Sequence, residues 1–112
     1  MSYTRTATID VVKSLAAGSI VAGYTLIGSE LYYASRVLIV QNLTDASLMF
    51  SDDGTNDKFP LAAGTSFVLD IATNDAQEDP WFYPAKKKIY VKRIGTPTTG
   101  SVYVTSVYGK TD

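Results

Sequence analysis

The chain has 112 residues, enough for one domain, and its 10 basic and 11 acidic side chains leave a formal charge of −1. That balance gives no nucleic-acid footprint. With no His and no Cys, a Ser-His-Asp triad, a conventional zinc site and any disulfide are excluded.

The first eight residues are polar, rich in Thr and Ser, and read as a loose arm. Arg5 and Asp10 interrupt the start, so no signal peptide is expected there. Ile9 to Lys13 fits a strand or a short helical turn, and its period does not decide. Residues 1–14 are therefore an arm or a first strand, and residues 15–112 one β domain. Ala16 to Ser19 is a small-residue turn, and Ile20 to Gly28 reads as a strand weakened by Gly23.

Val37-Leu38-Ile39-Val40 is apolar on both faces, as in a strand that lies centrally or is covered by a partner. Asn42 and Asp45 bond their own backbone and turn the chain. Ser47 to Phe50 follows as a strand, and Asp53-Gly54 signals a hairpin. Pro60 places Lys58 to Leu61 at a sheet edge. Phe67, Leu69 and Ile71 alternate with Val68 and Asp70. Thr73 to Pro84 is irregular, acidic at first and then aromatic at Trp81-Phe82-Tyr83 between Pro80 and Pro84. Ile89 to Ile94 and Val102 to Tyr108 are the last strands.

Short β-rich runs separated by turns predict an all-β antiparallel sandwich or barrel of about seven to eight strands. Its core is expected at Phe50, Phe67, Leu69, Ile71, Ile89 and Val91, with either Val37 and Ile39 or Leu38 and Val40. No apolar run approaches the roughly 20 residues of a membrane span, so no membrane partner is expected.

Little of this carries chemistry. Asp52 or Asp53 with Glu78 or Asp79 matches a glycosidase carboxylate pair only in residue type, and acidic residues are common in turns. Asp52, Asp53, Asn56 and Asp57 supply oxygens, but lack the spacing and closing Glu of an EF-hand loop. The chain is therefore expected to be no enzyme and to hold no cofactor, metal or small-molecule substrate. Lys86-Lys87-Lys88 with Lys92 and Arg93 reads as a solvated strand entrance that discourages edge pairing, or else as a contact for an acidic surface. Trp81, Phe82 and Tyr83, with Tyr103 and Tyr108 on the last strand, form the candidate interface. Trp81 is expected to be its anchor or else a lid on the core. Aromatic rings also stack sugars, which keeps a carbohydrate-binding β-sandwich as an alternative.

The run Ser14 to Ile20, then Tyr24 to Gly28, Asn42-Leu43-Thr44-Asp45, Phe50 to Gly54 and Gly100 to Gly109 resembles a family of small virion proteins of tailed phages. Within it, the chain is similar to the capsid decoration proteins, also called cement or staple proteins, of epsilon15-type short-tailed phages. The resemblance implies a jelly-roll-like sandwich on the outer surface of the virion capsid, made in the host cytoplasm. It implies a contact with the major capsid protein and a homo-oligomer, dimer or trimer. It carries no catalytic motif. A head–tail adaptor or a tail or fibre component is the alternative within virions.

Overall fold

A computed structural model describes residues 5–31, 33, 35–70 and 86–111. Ile71, Glu78, Asp79, Trp81, Phe82 and Tyr83 lie outside the described residues. The fold is all-β. One sheet holds β1 Arg5–Ile9, β2 Lys13–Ala16, β4 Ser35–Asn42, β7 Thr65–Asp70 and β9 Ser101–Thr111. The other holds β3 Thr25–Leu26, β5 Leu48–Ser51, β6 Phe59–Leu61 and β8 Tyr90–Arg93. All pairings are antiparallel.

The first sheet runs β1 and β2 along one edge, then β9, β4 and β7; the second runs β3–β8–β5–β6. Each strand pairs with the one equally distant from the β5–β6 connection: β5 with β6, β4 with β7, β3 with β8, β2 with β9. This is a long hairpin rolled into two facing sheets, closed by the pairings of β4 with β9 and β5 with β8. Such a rolled hairpin is a jelly roll. β1 and β2 share one edge position because Asp10 to Val12 interrupt what would be a single strand; β1 pairs with Val107–Thr111 and β2 with Ser101–Val104.

The ambiguous run of β4 resolves by register. Inward rows are Phe67–Val40–Val104 and Leu69–Leu38–Ser106; the outward row between them is Val68–Ile39–Thr105. Leu38 and Val40 are therefore core, and Val37 and Ile39 face outward. A register shift at Arg36, between Ser35 and Val37, keeps Ser35 inward, where its hydroxyl meets that of Ser106 at 2.6 Å. From the second sheet Leu48, Phe50, Leu61, Ile89 and Val91 fill the core, and Phe67 and Leu69 lie half-buried against it.

Three expectations change. Of Ile20 to Gly28 only Thr25 and Leu26 pair as a strand. Ile20 instead closes a short 3-10 turn over Ala17–Ser19 and plugs the core. Asp53-Gly54 is not a two-residue hairpin, because residues 52–58 separate β5 from β6. The lysines do not guard an edge, because β8 lies between β3 and β5.

Gly100 sets the approach to β9. Its φ is +85°, and a Cβ there would sit 2.0 Å from the Leu43 carbonyl oxygen. Asn42, fully buried, ties two connections at that end, β4–β5 and β6–β7. Its amide donates to the carbonyls of Ala46, Leu61 and Ala62, and its oxygen accepts from the Thr44 backbone N–H and hydroxyl.

Candidate interaction surfaces

The outer face of the second sheet is roofed by the chain's own loop. Ser51 starts it by accepting hydrogen bonds from the backbone N–H groups of Asp53 and Gly54. Asp53 Oδ1 then accepts from the Ser51 hydroxyl and from the N–H groups of Thr55 and Asn56. Gly54, at φ +75°, lies against the Tyr90 ring, where a Cβ would come within 3.2 Å. Asp57 closes the roof. It accepts from the Tyr24 hydroxyl at 2.6 Å and pairs with Lys92 at 2.9 Å, while the Lys92 ammonium stands 4.9 Å from the centre of the Tyr24 ring.

The acidic and basic clusters of the sequence thus meet each other. Lys58 reaches Asp52 and Asp53, and Lys87 reaches Asp52. Of the basic run predicted from the sequence, Lys87 and Lys92 pair with acidic residues of this chain. Asp53 is held far below the usual carboxylate range by hydrogen bonds from Asn56, Thr55 and Ser51. Asp57 is lowered by its hydrogen bonds from Tyr24 and Lys92. Burial and then Asp57 raise Tyr24. No cluster of metal-ligating side chains occurs among the described residues.

The outer face of the first sheet is different. Val37, Ile39, Gln41, Ser66, Val68, Tyr103, Thr105 and Val107 point outward and carry no charge; Asp70, opposite Val37 at the end of β7, is the one charged side chain of these outward rows. Val68 is 58% exposed, and Ile9, opposite Val107, is 71% exposed. Val11 and Val12 continue the apolar strip through the β1–β2 break, at 75% and 50% exposure. At the same end Tyr108 stacks on Tyr33 with ring centres 3.9 Å apart. Burial, then Tyr33, raises the Tyr108 hydroxyl.

Between the sheets, where β7 faces β6, lies a half-enclosed cavity of about 170 Å³. Phe59 stacks there between Phe50 and Phe67, with ring centres 5.3 and 4.6 Å away.

Of the expected interface residues, Tyr103 and Tyr108 lie on the first sheet's strand β9, both half-buried. The structure adds Ile9, Val11, Val12 and Val68. The signal for this surface was present in Val37 to Val40, where both faces are apolar and one core can cover only one of them.

No helix among the described residues is long and apolar enough to cross a membrane. No family model matches the sequence, and no curated protein matches it. A chain from a solved structure titled "Bacillus endospore appendages form a novel family of disulfide-linked pili" is loosely similar. Its TM-score is 0.46 at 12% identity, over 96% of this chain and 90% of that one.

Proposed function

We propose that the protein is a non-enzymatic structural subunit of a phage virion, a decoration protein that clamps the outer surface of the capsid shell. The observation that carries the reading is the partly exposed, largely apolar outer face of the first sheet, charged in its central rows only at Asp70, set beside a second sheet that the chain roofs itself. Contiguous exposed apolar surface marks a protein contact. The sequence motifs from Ser14 to Gly109, with their resemblance to small phage virion proteins, narrow that contact to a shell. The jelly-roll fold is compatible with this role, although a fold alone does not assign a function.

In this role the subunit adds buried area across the boundaries between capsid proteins. A DNA-filled shell is under internal pressure, and each added contact slows rupture. Four strands about 4.8 Å apart and about 20 Å long give a footprint of roughly 300–400 Å². A standard interface buries about 800 Å² per partner. A single such contact is therefore weak, and repetition on a lattice supplies the strength through avidity.

Particles lacking the protein should assemble but break at lower temperature and under osmotic shock, and intact particles should carry hundreds of copies. Equal robustness with and without it removes the decoration reading. Rings of six or twelve copies would assign it to a head–tail connector instead.

A further inference from the structure

The cavity between β6 and β7 has the chemistry of a socket for one ring. Its walls are Leu38, Phe59, Phe67, Leu69 and Ile89. Its polar members are Asp52 and Lys58, which pair with each other at 3.8 Å and are both partly exposed. A sugar or a nucleotide entering it would give up hydrogen bonds to water that these walls cannot replace. The rim pair is neutral as a unit, which does not favour a charged guest. Of the stacked rings, Phe59 and Phe67 line the cavity and offer it aromatic surface, which favours an aromatic guest.

Size then separates a side chain from a free ligand. An apolar cavity of about 150 Å³ accepts a benzene ring. Small-molecule sites usually run from about 300 to 1,000 Å³. At about 170 Å³ the cavity holds a single ring and little more. Its open side lets the stem of that ring lead out of the protein.

We propose that this cleft is an anchor pocket for one aromatic side chain, Tyr or Trp, presented by the partner protein. The inference rests on the reading that the chain works through a protein contact, and it adds the cleft to the outer face of the first sheet as a second point of that contact. An aromatic anchor in a desolvated pocket is the usual form of an interface hot spot. A seated ring would restore dispersion contacts that the cavity walls lack on their open side. Its hydroxyl or ring N–H would meet the Asp52 carboxylate at the rim.

The test uses the full chain and two side-chain analogues, p-cresol and 3-methylindole. Methyl NMR should show saturable shifts at Leu38, Leu69 and Ile89, with Val68 and Val107 on the outer face unmoved. At ten times the Kd, the Tm should rise by about 5 °C. Leu69→Phe fills the cavity from within and should abolish the shifts; Leu38→Phe is the second filled variant should the first fold poorly. No saturable shift at millimolar analogue overturns the proposal, as do shifts that persist in the filled variants.

Binding to stripped shells separates this inference from the function it rests on. Leu69→Phe should attach at least tenfold more weakly than wild type, and Leu69→Met within about twofold. Equal attachment of wild type and Leu69→Phe overturns the pocket's role and leaves the decoration reading standing. Failure of wild type to attach at all removes the decoration reading, while saturable analogue binding would still support an aromatic anchor pocket for another protein partner.

Discussion

On the second sheet, outward side chains meet a loop of the same chain: Tyr90 lies under Gly54, and Tyr24 and Lys92 under Asp57. On the first sheet, outward Val68 and the neighbouring Ile9 are more than half exposed. The roof has local causes. Ser51 and Asp53 bend the loop back, and Lys92 on β8 with Lys87 before it draws its acidic residues across the strands. The open face has no such loop beside it among the described residues, and its own strands carry apolar side chains where solvent would favour polar ones. One sheet has its outer contacts built in, and the other leaves much of its outer face exposed among the described residues.

The largest expected effect tests what the two faces share. Phe50 is fully buried in the second sheet and faces the first across the core. Phe50→Ala should cost about 3–5 kcal/mol in urea unfolding. Phe67→Ala, beside the cleft and only half-buried, should cost about 2 kcal/mol, near the low end of such truncations. If Phe67→Ala costs as much as Phe50→Ala, the cleft is not open as described.

Gly54→Val is the next largest, and it attacks the roof alone. A branched side chain at φ +75° is strained, and its Cβ would press on the Tyr90 ring. The cost should be about 1–3 kcal/mol. NMR should show Tyr24 and Asp57 released while the β4–β9 pairing stays intact. Loss of signal dispersion across both sheets would mean that the roof is part of the core and that the two faces are not independent.

Much of this contrast was legible in the sequence, and the illegible part has definite causes. Phe67, Val68 and Leu69 alternate, so their faces follow from the period of two. Val37 to Val40 do not alternate, and only pairing with β7 and β9 assigns them. The break between β1 and β2 could not be read from Ile9 to Lys13, because it is a one-residue shift of register against β9, between Ile9 opposite Val107 and Lys13 opposite Val104. Asp53-Gly54 signalled a turn correctly but not its length. Gly54 is set by Tyr90 and Asp57 by Tyr24, contacts between segments distant in sequence that no local pattern carries. Tyr103 and Tyr108 were expected at an interface and lie on the strand that crosses the open sheet. Trp81, Phe82 and Tyr83 lie outside the described residues.

Acid should distinguish the faces more gently. Asp45, which joins the β4–β5 and β8–β9 connections, is lowered to about 2 by hydrogen bonds from the Thr98 hydroxyl and the backbone N–H groups of Thr98 and Thr99. A depressed carboxylate pKa contributes stability above the unfolded value near 3.8, and that contribution is lost as pH falls toward about 2. Asp53 and Asp57 shift in the same direction. The urea midpoint should therefore fall between pH 4 and pH 2, with the first NMR changes in residues 51–58 and 94–100. Asp45→Asn should flatten part of that slope. Early changes at Ile39 or Thr105 would contradict the assignment, because their outward row, Val68–Ile39–Thr105, holds no carboxylate.

The smallest effect on the isolated chain sharpens the comparison most. Val68 is outward, exposed, and paired across β4 with Ile39. Val68→Thr keeps the branched shape and the strand preference and replaces one methyl with a hydroxyl. In the free protein that hydroxyl meets water, so stability should change by less than about 0.5 kcal/mol. Against a partner's apolar surface the same hydroxyl is desolvated without a hydrogen bond, at a cost of about 1–3 kcal/mol. Attachment to shells should then weaken roughly tenfold or more while the Tm stays put. Thr55→Ala makes the matching change on the roofed side, at an exposed loop residue that does not line the cleft. It should change stability by less than about 0.5 kcal/mol and leave attachment by the first sheet unchanged. If instead Val68→Thr attaches normally and Thr55→Ala does not, the docking face has been assigned to the wrong sheet.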